Sequence, residues 1–169
     1  MTKPDPELSR LIEVSRIPAT GSTETVIADA TERSLIARRL DLPAIHSLAA
    51  DLVLTRWRGE GVKVAGRFDA DVEQVCVVTL EPFRATVSDA IERYFLPGAG
   101  ATESEGDIDS FADGVIELGE VVIESLSLAL DPYPRKPGAE FHGLGDDSGS
   151  AEPASSPFAV LAGAKPRKR

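Results

Sequence analysis

The residues best suited to chemistry in this sequence are one cysteine, Cys76, and two histidines, His46 and His142. Nucleophilic catalysis needs a nucleophile, a base and an orienting group that are brought together. Cys76 lies in a strongly apolar run, which is typical of a buried structural thiol. His46 is flanked by apolar residues, which favours packing or a backbone hydrogen bond, and His142 lies in a polar linker. We therefore expect a protein that is not an enzyme.

A cluster of five acids suggests a calcium loop as an alternative: Glu103, Glu105, Asp107, Asp109 and Asp113. Calcium loops place their ligands at fixed offsets, with a turn glycine and a closing bidentate glutamate. The spacing here is looser and the glycine falls elsewhere, so a solvated acidic loop is favoured. The remaining alternative is a contact surface for a basic protein. We predict no metal, no cofactor and no small-molecule substrate.

The charge of the chain indicates what kind of partner it meets. The net charge is −10, and four cations lie in the last five residues, so setting those four aside leaves −14 on the rest. Because nonspecific affinity for nucleic acid comes mostly from cations that neutralise phosphates, such a body disfavours bare RNA. A basic partner protein is the better electrostatic match.

Two sets of residues support direct RNA binding as the alternative. The basic tail could contact phosphates, and a turn with one tryptophan could stack on a base. The tail could equally serve as a solubilising terminus, and the tryptophan could simply pack at the edge of a sheet. The residues are Lys165, Arg167, Lys168 and Arg169 in the tail, and Arg56, Trp57 and Arg58 at the turn.

The apolar periodicity predicts an α+β fold with at least two packed helices. Asp29–Leu40 has the signature of a capped helix, and Val115–Leu130 that of an amphipathic helix with an acidic outer face. Thr20–Thr25 is predicted to be a polar turn. Alternation with period two predicts an antiparallel meander of about four strands. These strands are Leu48–Thr55, Val62–Phe68, Val72–Leu80 and Ala85–Phe95, with Gly66 as a candidate bulge.

Composition divides the chain into one domain and a flexible end. Residues 1–137 are expected to form the domain, with an acidic mobile loop at about 98–114. Residues 138–169 are rich in Gly, Ser, Asp and Ala, which is typical of a disordered linker. The N-terminus has no apolar run that could act as a signal peptide, and no run approaches the ~20 apolar residues that span a bilayer, so we expect a cytoplasmic protein that does not bind membranes.

Three segments of the chain resemble the YceD family, which is described as large ribosomal RNA subunit accumulation proteins. The first has glycine, alanine and cysteine at fixed spacing, followed by a Leu-Glu pair. The second keeps acids, an apolar stripe and prolines in register, and the third is a short Pro-Phe-Ala element. The segments are Val64–Phe83, Ile116–Pro134 and Ser156–Leu161.

The resemblance implies a cytoplasmic bacterial protein that supports the synthesis, accumulation or assembly of large-subunit (23S) ribosomal RNA without catalysis. Many members carry a C-x-x-C pair in the first segment, but here Thr79 stands at the second position, so a metal or redox role cannot be carried over to Cys76. The expected partner is a basic ribosomal protein or a pre-large-subunit particle. The candidate contacts are Glu117, Glu120 and Glu124 on the acidic helix, with Phe158 and Leu161 as an anchor.

Overall fold

A computed structural model describes residues 6–98 and 108–140 of the chain. Residues 99–107, within the predicted acidic loop, lie outside the described residues. The whole segment 141–169 also lies outside them, and with it the predicted disordered tail. The candidate site residues in that segment are Phe158, Leu161, Lys165, Arg167, Lys168 and Arg169.

The described residues form seven strands and two α-helices in an α+β arrangement, which confirms the predicted class. A five-stranded sheet has the order β2-β3-β4-β5-β6, and β1 pairs with β7 in a separate two-stranded sheet. All pairings are antiparallel except β5 with β6, which is parallel. The elements are β1 Leu11–Glu13, β2 Ser22–Ile27, α1 Ala30–Arg39, β3 Ala44–Trp57, β4 Gly61–Val75, β5 Pro82–Pro97, β6 Ile108–Phe111, β7 Val115–Glu117 and α2 Leu118–Ala129, with a 3₁₀ turn at Val14–Arg16.

The predicted number of four strands is wrong, because the sheet has five strands. In addition, two of the predicted strands are parts of a single strand. Val62–Phe68 and the start of Val72–Leu80 are both parts of β4. The alternation of buried and exposed residues continues without interruption between them, with Phe68 and Ala70 buried and Asp69 exposed. Strand β4 ends at Val75, so Cys76 and Leu80 belong to a turn.

Strands β2 and β6 were missed because their sequences lack an apolar period. Ser22–Ile27 falls where a polar turn was predicted, and it pairs along its whole length with β3. Its Thr25 hydroxyl donates to Asp51 at 2.8 Å. Ile108–Phe111 falls in the segment predicted as an acidic loop, and Phe111 is buried there. Position on the edges of the sheet, and not apolar patterning, makes these segments strands.

Both helices pack on one face of the five-stranded sheet, called here the inner face, and the opposite outer face carries mostly polar side chains. Helix α1 packs on β3, and α2 packs mainly on β5. The inner face and the helices together bury one apolar core. Its fully buried large side chains include Leu48, Leu52, Leu54, Val62 and Phe68 from the sheet and Ile36, Leu118, Ile123 and Leu126 from the helices.

A glycine allows a close backbone approach between β3 and β4. The predicted bulge at Gly66 is wrong, because Gly66 pairs in register with Leu52 and Ile91. A Cβ at Gly66 would lie 2.0 Å from the Asp51 carbonyl oxygen, so the close approach of β3 to β4 at this point requires glycine. Among the described residues, neither α1 nor α2 has the length and apolar character that a membrane-spanning helix needs.

Candidate interaction surfaces

Glu117 lies at the junction of β7 and α2, one residue before the helix begins. Its carboxylate accepts hydrogen bonds from the Gly119 backbone N–H at 3.2 Å and from the Ser9 hydroxyl at 2.8 Å, and it also accepts from the Arg10 backbone N–H. Glu117 is therefore the N-cap of α2. The residue ties the N-terminal segment to the helix start, and it does not lie on the outer stripe of the helix.

Glu120 lies in the first turn of α2 and faces α1. It pairs with Arg39, whose Nη1 donates to Glu120 Oε2 at 2.9 Å and to Glu7 at 3.1 Å. The hydrogen bonds and charge of Glu120, assisted by Glu7, raise the pKa of Arg39. About a third of each side chain of the Arg39–Glu120 pair is exposed.

Glu124 lies one turn further along α2 and faces the sheet. Arg93 of β5 donates to Glu124 at 3.1 Å and, through Nε, to Asp109 of β6 at 2.8 Å. Burial works to lower the pKa of Arg93, but the hydrogen bond to Asp109 and the charges of both acids outweigh it and raise the pKa. The Glu124 side chain remains 44% exposed, so one side of its carboxylate still faces solvent.

Cys76 lies in the core, and His46 lies on the surface of the sheet. Cys76 is fully buried, and its Sγ accepts from the Thr79 backbone N–H at 3.4 Å in the turn after β4. His46 Nε2 lies 2.8 Å from Glu73 Oε1 on the sheet surface. Within residues 6–98 and 108–140, no group of three or more His, Cys, Asp and Glu side chains is placed to hold a metal ion.

The structure brings Trp57 and Arg58 together but directs Arg56 elsewhere. Arg56 donates to the Ile17 carbonyl oxygen at 3.2 Å. Trp57, the last residue of β3, points to the outer face, and the Arg58 guanidinium lies 4.5 Å from the centre of its ring. Alternation along a strand accounts for the separation of neighbours 56 and 57.

Two residues that sequence reasoning missed complete this group. The Tyr94 ring centroid lies 4.7 Å from that of Trp57, with the planes inclined by 51°. Lys63 Nζ lies 5.2 Å from the Tyr94 ring centre. We call Trp57, Arg58, Lys63 and Tyr94 the aromatic platform. Trp57 and Lys63 flank a predicted turn, so their proximity could have been predicted from the sequence. The position of Tyr94 could not, because it requires the register of β4 with β5.

Comparison with known families gives one result. The family model described as "Large ribosomal RNA subunit accumulation protein YceD" matches residues 64–165, more than half of the chain. Comparisons with curated proteins and with solved structures find no match.

Proposed function

Because this chain belongs to the YceD family of large ribosomal RNA subunit accumulation proteins, we propose that it is a non-enzymatic accessory factor that acts on pre-large-subunit particles through a basic ribosomal protein. The observation that carries the proposal is the family match over residues 64–165. Family membership supplies the link to large-subunit RNA, and the chemistry of this chain supplies the mode of contact.

The charge of the chain supports a protein contact. With a net charge of −10 and a pI near 4.7, the molecule is repelled by the phosphate backbone at long range and attracted to cationic proteins. Nine acids and no Lys or Arg lie between Pro97 and Pro134. Ribosomal proteins that bind RNA must themselves be rich in cations, so they are the complementary surface on such a particle.

The proposed contact uses the carboxylates of Glu120 and Glu124 on α2. Each is already paired with an arginine of the fold, but a carboxylate offers about four acceptor sites and an arginine pair occupies only some of them. The half-exposed Glu124 can therefore accept a further charge-assisted hydrogen bond from a partner. Glu117 orients the helix start, and Phe158 and Leu161 are the proposed apolar anchor.

Co-sedimentation with particles tests the function. The tagged protein should migrate with pre-large-subunit particles in a density gradient and should be released as salt is raised, since exposed charge pairs are screened. A protein that stays in ribosome-free fractions even at low salt would contradict the proposed function as a whole.

Matched variants test the surface. Glu120→Gln with Glu124→Gln should reduce particle retention several-fold. Asp71→Asn is the control, because Asp71 also pairs with an arginine, Arg84, but lies on the outer face. Folding of each variant is checked by thermal unfolding. If the control loses retention as strongly as the α2 variant, the α2 acids are not the contact.

Direct RNA binding is the second candidate, favoured by the aromatic platform and by the basic tail. If the tail makes the RNA contact by itself, deletion of residues 165–169 should abolish binding to large-subunit RNA fragments. Unchanged binding after the deletion would remove the tail from this candidate.

A further inference from the structure

We propose that the aromatic platform is a stacking site for single-stranded RNA on the outer face of the sheet. This deepens the proposed function by adding a direct RNA contact, and it rests on that function only for the source of the RNA. Four side chains from three strands and a turn carry the inference: two aromatic rings in contact, each with a cation over it.

The sheet is built so that the two rings can meet. Trp57 is in β3 and Tyr94 is in β5, so β4 separates them by two strand spacings. The β4 residue opposite Trp57 is Gly61, and the β4 residue opposite Tyr94 is Lys63. Gly61 therefore lies between the two strands that carry the rings, and a Cβ there would lie 2.6 Å from the Trp57 carbonyl oxygen and 2.8 Å from the Leu96 side chain. A side chain at position 61 would clash with both neighbouring strands.

The turn after β3 places the first cation. Arg58 has φ +43° and Gly59 has φ +78°, so the chain reverses through two left-handed residues. A left-handed conformation costs a non-glycine residue roughly 1 kcal/mol, and such strain often marks functional positions. Here it turns the Arg58 guanidinium back over Trp57, within the ~6 Å range of cation–π attraction.

Rings and cations together match the chemistry of a single strand. Bases that are free of pairing stack on aromatic rings and on guanidinium planes, while lysine and arginine contact the phosphates between them. A basic peptide would be repelled by the two cations, and an acidic peptide would pair with the cations but would not need the rings. Unpaired RNA uses both parts of the platform.

Acids beside the platform limit its affinity for RNA. Glu92 accepts from the Tyr94 hydroxyl at 2.7 Å and pairs with Lys63 at 3.1 Å. These hydrogen bonds, from Tyr94 first and then Lys63, lower the pKa of Glu92, so it stays ionised and repels phosphate. The exposed Glu60, two residues after Arg58, and the net charge of −10 also oppose phosphate. Binding must therefore come mainly from stacking on the rings, against an unfavourable net charge.

The tryptophan provides the test, because Trp57 is the only one in the chain. Short single-stranded RNA is titrated into the full chain and into a variant without residues 165–169. We expect saturable quenching of Trp57 emission in both, and much weaker quenching with the same RNA as a duplex. Binding should also weaken as salt is raised, because part of the contact is with phosphates.

Substitutions separate the parts of the platform. Tyr94→Leu should weaken binding about tenfold or more, in the range measured for loss of one stacking residue. Lys63→Gln should weaken it several-fold while leaving both rings in place, and Glu92→Gln should tighten it. Arg67→Gln, on the outer face but away from the platform, is the matched control and should change nothing.

Three results would overturn the proposal: no change in Trp57 emission, equal binding in Tyr94→Leu and Arg67→Gln, or complete loss of binding on removing residues 165–169. None of these would affect co-sedimentation through α2, so the failure of this inference is distinguishable from the failure of the proposed function.

Discussion

At the scale of single residues, the turn after β4 is built around the Cys76 sulfur. The Thr79 N–H donates to Sγ at 3.4 Å, and the Cys76 backbone N–H donates to the Glu81 carbonyl oxygen at 2.9 Å. Val77 N–H donates to the Pro134 carbonyl oxygen at 2.9 Å, which joins the turn to the segment after α2. Thr79 thus helps to close a hydrogen-bonded turn around the sulfur.

The first prediction is that the Cys76 thiol is more acidic than a free thiol, because these groups donate hydrogen bonds to its sulfur. The Thr79 side chain, followed by backbone N–H groups including that of Lys136, outweighs burial and lowers the pKa of Cys76 to about 7. An unfolded thiol has a pKa of about 8.5. The folded state therefore gains stability as pH rises from 7 toward 8.5, and that gain is lost as pH falls through 7.

Thiolate absorbance against pH measures this directly, with denaturation at several pH values as the linked readout. Thr79→Val should raise the pKa of Cys76, and Cys76→Ser should remove the rise in stability between pH 7 and 8.5. Thr86→Val, on the outer face, is the control. Equal thiol pKa values in the two threonine variants would show that Thr79 does not act on the sulfur.

The burial of a single residue could be predicted from the sequence, but contacts between residues on different strands could not. Burial of Cys76 was predicted from its apolar neighbours and is confirmed. The contact of Trp57 with Tyr94 could not be predicted, because it requires β3 to pair with β4 through one turn and β4 to pair with β5 through another. An error of one residue in either register would put one ring on the inner face.

At the scale of elements, α2 is held by a glycine that allows the N-terminal segment to approach. A Cβ at Gly119 would lie 2.1 Å from the Leu8 carbonyl oxygen, and Leu8 itself is fully buried. The Leu118 backbone N–H donates to the Arg10 carbonyl oxygen at 2.9 Å on the same approach. Helix α2, β1 and β7 therefore form one packed unit.

The second prediction follows from this approach. Alanine is a better helix former than glycine by about 1 kcal/mol. The overlap with backbone at Leu8 outweighs that gain, so Gly119→Ala should lower the free energy of unfolding by about 1–3 kcal/mol, the usual cost of overpacking. Ser127→Ala, exposed on the same helix, should stay within about 0.5 kcal/mol. Urea denaturation compares the two, and equal stabilities would contradict the steric argument.

Elements with a strong local sequence signal, such as a helix cap, were predicted. Elements that form only because of their place in the fold were not. Helix α1 begins at a complete capping box, in which Glu32 N–H donates to Asp29 and Asp29 N–H donates to Glu32, both at 2.8 Å. Helix α2 was placed three residues early, because Val115–Glu117 continues the apolar stripe while pairing with β1. A helical stripe and a short strand look alike over three residues.

At the scale of the whole molecule, the arginines of the fold hold the acids of α2. Arg39 joins α1 to α2 through Glu120, and Arg93 joins β5 to α2 through Glu124. The sequence predicted an acidic outer face on this helix, but periodicity cannot show which cations lie opposite. The two glutamates thus stabilise the fold and also contribute to the net charge of −10.

The last prediction separates these local contacts from the field of the molecule. Summed charge steers association and so acts on the association rate, whereas contacts within an interface act on the dissociation rate. Asp51→Asn with Asp69→Asn removes two exposed acids of the outer face, away from α2. Binding of this variant to pre-large-subunit particles should be slower to form and unchanged in dissociation. Glu120→Gln with Glu124→Gln should instead dissociate faster. If surface plasmon resonance finds the same change of dissociation rate in both double variants, α2 contributes only charge, and the contact lies elsewhere on the molecule.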